Sequence, residues 1–288
     1  EKTQKFTPQF IYNLGELSKL EDGRFGAFKA LQSVNRRLRD KESVTLLVEA
    51  AVEKNLSQGF WKELTPDMGL DLLQAHVLPW NYVMADSEST PCRLVADPSR
   101  PDKNGRSLNG CQVKGTGFVG EVRPVLLQVR CLPILLQGDL TSFFPSFDLI
   151  DRDKSLRRML ISKVGYGLKR DLMMEDVTEV IQSRMGFGDK SAAPLAVAGR
   201  IKVAKMVQNG KGNIADVLRP EIVRSLIKNS FVDDIFAGVE YGGDLEPLKE
   251  GLEEAVSLGS FTVKGWHASG EDGESKVLGY KWKKKDDT

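Results

Sequence analysis

Residues 229–238 read N-S-F-V-D-D-I-F-A-G, so two adjacent aspartates, Asp233 and Asp234, lie between large apolar residues. Two carboxylates about 5 Å apart repel one another by roughly 3 kcal/mol at an effective dielectric near 20, and by less than about 1 kcal/mol in a solvated turn. The pair therefore predicts either an exposed turn or a site where a cation lies between the acids. The apolar residues on both sides favour two strands with the aspartates at the tip of a hairpin.

A further aspartate ends a predicted buried strand earlier in the chain. The segment I-L-L-Q-G-D-L (134–140) reads as a strand that ends at Asp139. Carboxylates brought together at strand ends form a hard-oxygen site for Mg²⁺, and two such ions are used for in-line phosphoryl displacement. Because adjacent strand residues point to opposite faces, we expect only one acid of the pair to face Asp139. We predict that Asp233 is that residue and that Asp234 is peripheral.

The remaining patterns predict an α+β fold. Apolar spacing and texture predict helices at 27–39, 43–56, 118–130, 245–258 and over most of 153–185. Short runs between 79 and 110 predict strands joined by a long polar loop, and 276–282 reads as a strand of the hairpin type. Irregular alternation of helices and short strands favours an α+β fold over a parallel barrel.

Composition excludes several classes of protein. With 41% hydrophobic and 28% charged residues among 288, the chain has the composition of an ordinary globular protein. No run of 18 apolar residues is present, so no transmembrane helix is predicted. The three cysteines form no C-x-x-C pair, which argues against a zinc site or a disulfide framework and favours a reducing, intracellular compartment.

Five segments, taken in order, resemble the motif series of reverse transcriptases. They are G-D-L-T-S-F-F (138–144), F-G-D-K-S-A-A-P (187–194), F-V-D-D (231–234), W-H-A-S (266–269) and K-V-L-G-Y-K-W (276–282). More narrowly, the chain resembles the reverse transcriptase domain of Bel/Pao-type LTR retrotransposons. That resemblance rests on R-L-V-A-D (93–97), S-L-N-G (107–110) and L-G-S-F-T-V-K-G-W (258–266).

The resemblance implies the fingers and palm of a right-hand polymerase, with a small antiparallel palm sheet that carries the carboxylates and is flanked by helices. Residues 25–138 would be mainly fingers with the start of the palm, 139–288 mainly palm through the primer-grip hairpin, and 1–24 an N-terminal extension or linker. A thumb and an RNase H domain would lie outside this sequence. The thumb, RNase H and integrase parts of the same polyprotein would be partners, in the cytoplasm and within retrotransposon particles, without a membrane.

The resemblance also implies an activity, that of an RNA-directed DNA polymerase. Such a nucleotidyltransferase adds dNTPs to a primer 3′-hydroxyl on an RNA or DNA template. Asp139, Asp233 and Asp234 match its metal ligands for two Mg²⁺ ions, for which Mn²⁺ can substitute. Lys264 matches a lysine that protonates the departing pyrophosphate, a general-acid role.

Other positions match the family's nucleotide and primer contacts. Arg93 matches an arginine that binds the triphosphate, a task suited to its bidentate fork. Phe144 matches an aromatic steric gate against the 2′-hydroxyl, although Phe143 and Phe147 leave the interpretation as core open. Phe187 and Gly188 match the position where the backbone approaches template and nucleotide. Leu278, Gly279 and Tyr280 match the primer grip.

Departures from the family pattern keep a second hypothesis open. Residues 85–92 read A-D-S-E-S-T-P-C and lack the expected fingers lysine, and Asp86 and Glu88 would repel a triphosphate. Lys103 and Arg106 are the candidates to replace that lysine. The alternative is therefore a catalytically inactive, domesticated reverse-transcriptase-like module that binds RNA or a protein. Phe144 disfavours an RNA-directed RNA polymerase, which tends to carry an Asp there to hold the 2′-hydroxyl.

Overall fold

Helices alternate with antiparallel strand pairs along the chain, which confirms the predicted mixture of helix and antiparallel sheet. The computed structural model describes residues 5–70, 75–86, 90–115 and 120–286. The α-helices are α1 (Leu14–Leu17), α2 (Arg24–Leu38), α3 (Glu42–Ser57), α4 (Leu108–Cys111), α5 (Val122–Val129), α6 (Asp151–Ser155), α7 (Ala192–Gln208), α8 (Arg219–Ile227) and α9 (Glu246–Ser257). Short 3₁₀ helices span Pro66–Met68, Phe144–Ser146 and Met174–Asp176.

The strands are short and pair with antiparallel neighbours. They are β1 (Trp61–Glu63), β2 (Trp80–Met84), β3 (Cys92–Ala96), β4 (Ile134–Leu140), β5 (Arg158–Ser162), β6 (Val177–Gln182), β7 (Ser230–Phe231), β8 (Asp234–Val239), β9 (Val263–Ala268), β10 (Glu274–Val277) and β11 (Tyr280–Lys283). None of the helices in the described ranges combines the length and hydropathy that a membrane span requires.

The chain divides into two compact units that are interleaved along the sequence. The first unit comprises Glu1–Phe6, Gly115–Ser146 and Ala193–Thr288, and the second comprises Thr7–Lys114 and Phe147–Ala192. The predicted fingers and palm were contiguous, with a boundary at 138/139. The assignment of those names to parts of this chain stays a prediction.

The first unit is built on a four-stranded sheet in the order β7-β8-β4-β9. The central strand β4 pairs with β8 from Ile134 opposite Val239 to Asp139 opposite Asp234. Because side chains alternate along a strand, Leu135, Gln137 and Asp139 share one face of the sheet. The aliphatic residues of β4 are largely buried, which is why this segment reads as a core strand.

A glycine lets β9 approach β4 closely on the other side. The β4–β9 register shifts between Gln137 and Asp139, as at a β-bulge. A Cβ on Gly138 would lie 2.6 Å from ring carbon Cζ3 of Trp266 and 2.6 Å from a methyl of Val263. No side chain therefore fits at position 138, the residue before the strand-end aspartate.

The β10–β11 hairpin packs on the sheet through a small apolar core. Its two-residue turn consists of Leu278 at φ 49° and Gly279 at φ 89°, as a type I′ turn requires. The buried members of the core are Val125, Val129, Leu135, Phe236, Val277 and Trp282. The predicted strand at 276–282 therefore covers the end of β10, the turn and most of β11.

The second unit contains strands where a helix was expected. Within 153–185, the prediction of mostly helix is wrong, because β5 and β6 pair from Arg158–Ile181 to Ser162–Val177 and β1 pairs with β6. The run V-T-E-V-I-Q is rich in β-branched residues and the run R-M-L-I-S has a buried apolar centre, which suits a pleated, half-buried surface. Between the strands, Gly165 and Gly167 adopt positive φ and interrupt any helix.

The first residues of the described chain take part in both units. Phe6 is buried in the first unit, where its ring lies 5.8 Å from that of Phe261. In the second unit Phe10, Tyr12 and Leu17 are buried. Residues 6–17 thus contribute buried side chains, and the assignment of residues 1–24 as an N-terminal extension or linker stays a prediction.

Candidate active site

The structure brings together the acids that the sequence singled out. Asp139 lies near the end of β4 and Asp234 begins β8, and the two residues are direct partners in the sheet. Asp233 precedes β8 in the turn, where its carbonyl accepts a hydrogen bond of 3.0 Å from the backbone N–H of Leu140. The three side chains, hereafter the carboxylate cluster, thus lie at one end of the sheet of the first unit.

The register differs from the prediction in one respect. Asp234, and not Asp233, stands directly opposite Asp139. Because Phe231 pairs with Asp234, the turn residues are Val232 and Asp233, and Val232 has φ 50°. Because Asp233 lies in a turn, its side chain does not follow the alternating directions of strand residues. It lies close enough to Asp139 for the charge of Asp139 to raise its pKa. The expectation that Asp234 is peripheral is therefore wrong in this structure.

Burial and mutual repulsion raise the pKa values of the adjacent pair. Burial, followed by the charges of Asp233 and Asp139, raises the pKa of Asp234 to about 7. Burial and then the charge of Asp139 raise the pKa of Asp233. Burial and like charge thus disfavour the ionised form of both acids, as expected for adjacent carboxylates without a cation between them.

Lys264 supplies one positive charge to the carboxylate cluster. It is the partner of Asp139 on β9. Its Nζ lies 3.2 Å from Oδ2 of Asp139, and its side chain is 56% exposed. The predicted general acid is therefore beside the carboxylates, held in an ion pair that solvent can reach.

Arg200 supplies a second positive charge, which the sequence patterns did not predict. It lies on α7, is only 3% exposed, and its Nε and Nη1 atoms have no hydrogen-bond partner among the described residues. Burial lowers the pKa of Arg200 to about 10, while the charges of Asp233 and Asp234 act in the opposite direction. The available signal was an arginine inside the apolar run L-A-V-A-G-R-I-K-V-A (195–204).

The chemistry of the donor set fits Mg²⁺. Asp139 and Asp234 are paired at one strand end and Asp233 lies in the adjoining turn, and carboxylate oxygens are the protein ligands that Mg²⁺ uses alongside waters and substrate phosphates. As the side chains stand, no group of three acidic, histidine or cysteine residues in the described ranges is gathered closely enough to hold a metal ion. Oδ2 of Asp139 lies 3.2 Å from Nζ of Lys264.

The predicted steric gate and its two competitors are all buried aromatic residues. Phe144 begins a 3₁₀ helix and is 8% exposed. Its ring centroid lies 6.1 Å from that of Phe143, which lies 5.2 Å from that of Phe261. Phe147 is buried within the second unit. The role of Phe144 against the 2′-hydroxyl stays a prediction.

The predicted primer grip coincides with the turn of the β10–β11 hairpin. Leu278 packs partly buried against the apolar core of the first unit, whereas Tyr280 is 65% exposed. Gly279 follows Leu278 in the turn. This hairpin and the carboxylates of Asp139 and Asp234 lie on the same face of the sheet, because Leu135 and Phe236 of that face contact the hairpin.

Three of the predicted nucleotide contacts, Arg93, Phe187 and Gly188, belong to the second unit. Arg93 is exposed on β3 and Phe187 is 46% exposed. Gly188 has φ 103°, and a Cβ there would lie 2.5 Å from the carbonyl oxygen of Ala96. Asn109 donates a hydrogen bond of 2.9 Å to the Gly188 carbonyl. The segment F-G-D-K-S-A-A-P thus contacts both R-L-V-A-D and S-L-N-G, the two other segments of this unit that carry the family resemblance.

Asp189, the residue after that glycine, has a structural partner in the second unit. It forms a bidentate ion pair with Arg157 at 2.7 and 2.9 Å, and both side chains are at most 2% exposed. Gln112 donates a further hydrogen bond of 2.7 Å to Asp189. The sequence did not predict this pair, which fixes the loop that carries Phe187 and Gly188.

The two candidates to replace the fingers lysine are engaged in ion pairs. Lys103 Nζ lies 2.8 Å from Glu21, and Arg106 Nε lies 3.5 Å from Glu16. Glu88 lies outside the described residues. The replacement of the lysine therefore stays a prediction.

The chain resembles a solved structure but matches no sequence family. No protein-family model and no curated protein matches the chain. The chain is similar to the structure of a foamy viral protease–reverse transcriptase in complex with double-stranded DNA, at 15% sequence identity and a TM-score of 0.47. The match covers 82% of this chain and 33% of that chain, so this chain spans about a third of its length. Any activity of this chain must therefore be inferred from its own side chains.

Proposed function

We propose that this chain is a template-directed DNA polymerase of the reverse transcriptase type, which adds dNTPs to a primer 3′-hydroxyl on RNA or DNA. The observation that carries the proposal is the carboxylate cluster of Asp139, Asp233 and Asp234 at one end of an antiparallel sheet, with Lys264 beside it. The narrower assignment, to the Bel/Pao-type LTR retrotransposons, rests on the motif series of the sequence.

The acids of the cluster are proposed to hold two Mg²⁺ ions. When bound, such ions supply stabilisation of the attacking and leaving oxygens in an in-line phosphoryl displacement. Asp139 and Asp234 face one another across the strand pair, and Asp233 extends the negative charge into the turn. Burial and mutual repulsion disfavour the charged forms of Asp233 and Asp234, and a divalent cation bound beside them would relieve that repulsion.

Lys264 is proposed to donate a proton to the departing pyrophosphate. Its Nζ already lies beside the cluster, 3.2 Å from Asp139, and its exposure leaves the long side chain free to turn away from that carboxylate. The charge on Lys264 would then serve the leaving group rather than Asp139. In the same proposal Phe144 excludes the 2′-hydroxyl, and Arg93, Phe187 and Gly188 contact the nucleotide.

The hairpin at 274–283 is proposed to hold the primer. Its turn presents backbone N–H and C=O groups of Leu278 and Gly279, while Val277 and Trp282 anchor it to the sheet. A rigid, well-packed hairpin on the face that carries the carboxylates is suited to keep a 3′ end in register with them.

A second candidate function follows from the ion pair at Asp139. If Lys264 permanently neutralises that acid, the cluster loses a metal ligand and the chain acts as a catalytically inactive, domesticated module that binds RNA or a protein. The absence of a preformed group of three ligands in the described ranges favours this alternative. The two functions differ in whether the chain extends a primer.

Primer extension on poly(rA)·oligo(dT) with dTTP and Mg²⁺ or Mn²⁺ tests the proposal. We expect extension by the parent chain, loss of extension in Asp233→Asn, and unchanged extension in the control Asp216→Asn, whose side chain is 98% exposed. Extension retained by Asp233→Asn would refute the assigned role. No extension by a folded parent chain with either ion would favour the inactive module.

A further inference from the structure

Gln137 lies between the carboxylate cluster and the β10–β11 hairpin. It is 5% exposed on β4, two residues before Asp139 and on the same face of the sheet. Its Nε2 donates a hydrogen bond of 3.0 Å to the carbonyl of Lys276, and its Oε1 accepts one of 3.0 Å from Oγ of Ser275. The Asp234 carboxylate also accepts a hydrogen bond from this side chain.

The chemistry of the amide fixes its orientation. A glutamine NH₂ has two hydrogens, and one of them is donated to the backbone carbonyl of Lys276, which can only accept. Turning the amide over would place its oxygen against that carbonyl oxygen. The contacts therefore require the two donors and one acceptor of glutamine in this arrangement.

Other contacts between the hairpin and the sheet are less directional. Val277 and Trp282 pack against Leu135 and Phe236. Such apolar contacts hold two surfaces together but only weakly fix how far one slides along the other. The hydrogen bonds of Gln137 to two successive hairpin residues specify that position.

We propose that Gln137 is a positioning residue that fixes the β10–β11 hairpin relative to Asp234. As a statement about catalysis this rests on the proposed function, in which the hairpin holds the primer. Gln137 would then set the distance between the primer 3′-hydroxyl and the carboxylate cluster, without touching either substrate.

The kinetic test compares the parent with Gln137→Met, which keeps the volume and removes all three hydrogen bonds. In single-nucleotide extension, at a temperature where both proteins are folded, we expect kcat to fall by about tenfold or more, since a hydrogen bond to a charged group is lost. KM for dTTP should stay within about twofold, because no nucleotide contact changes. Ser275→Ala leaves both donor hydrogen bonds of the Gln137 amide in place and should lower kcat less than Gln137→Met does. A kcat of Gln137→Met within twofold of the parent would overturn the proposal.

A second measurement does not require polymerase activity. Asp234→Ala removes an acceptor of the amide, so we expect hydrogen exchange at the hairpin amides 274–283 to be faster, by about threefold or more, than in Asp234→Asn, which loses the same charge but keeps an acceptor. In a Gln137→Met background the two substitutions should give equal exchange at these amides. Asp216→Ala is the matched control. Equal rates of hydrogen exchange at the hairpin amides in Asp234→Ala and Asp234→Asn would overturn the proposal that Gln137 links the hairpin to Asp234, whether or not the chain extends primers.

Discussion

Replacing Asp234 by Asn should stabilise the protein at alkaline pH in the absence of divalent ions. Burial and the charges of Asp233 and Asp139 raise the pKa of Asp234 from 3.8 to about 7. At 1.36 kcal/mol per pH unit this corresponds to at most about 4 kcal/mol of destabilisation of the charged form. Because the carboxyl keeps part of its surface in water, solvent screening reduces the expected value to about 2 kcal/mol.

The sign of the pH dependence follows from the raised pKa. Below about pH 4 the carboxyl is protonated in both the folded and the unfolded chain, so the charge has no effect on stability. Between about pH 4 and pH 7 the folded chain binds the proton more tightly, and stability falls as the pH rises. Asn carries no charge and still offers an acceptor to Gln137. The advantage of Asp234→Asn should therefore be small at pH 5 and near its full value at pH 8.

Urea or thermal unfolding of parent and variant in EDTA at pH 5 and pH 8 measures this difference. At about 2 °C per kcal/mol or more, the variant should melt about 4 °C higher at pH 8. Asp216→Asn is the control, and Mg²⁺ should narrow the gap by stabilising the parent. Four other charged residues also influence the cluster but are present in both proteins, namely Asp139, Asp233, Lys264 and Arg200. Equal or lower stability of Asp234→Asn at pH 8, or a gap that does not grow with pH, would refute the reasoning.

Three further predictions concern side chains outside the adjacent pair. Phe144→Val should admit ribonucleotides and lower the preference for dTTP over UTP in primer extension by about tenfold or more, and unchanged sugar selectivity would count against the gate. Gly188→Ala should destabilise the protein by about 2 kcal/mol or more, because φ is positive and the new Cβ would meet the Ala96 carbonyl. The control Gly210→Ala has open space around its Cβ and should cost about 1 kcal/mol. Equal losses of stability in urea unfolding would contradict this prediction. Asp189→Asn should cost about 3–5 kcal/mol because it leaves the buried Arg157 charge without its partner, and a loss below about 1 kcal/mol would show that the pair contributes little.

The convergence of the three acids was predictable because it follows from local patterns. A buried run that ends at Asp139 and an apolar hairpin with Asp233 near its tip each specify a strand end. Which acid stands opposite Asp139 was not predictable, since it depends on the two-residue turn at Val232 and on the strand register. Register is a property of the pairing rather than of either strand.

Other errors and omissions have related causes. The runs that form β5 and β6 are short and aliphatic, and such runs do not distinguish a buried strand from a buried helix segment. Arg200 and Gln137 were missed because a single polar residue in an apolar run has no partner that can be read from the sequence. Their significance lies in contacts with residues far away along the chain.

The connectivity of the first unit also has a consequence for its synthesis. The strand β4 ends at Leu140, but its two neighbours begin only at Asp234 and Val263. At about 5–20 residues per second, a ribosome takes roughly 5–20 s to deliver the first of these neighbours. Throughout that interval an apolar strand with two unpaired edges is open to pairing with other nascent chains. The strand that carries Asp139 is thus a point of vulnerability to aggregation during translation, and one that chaperones would have to protect.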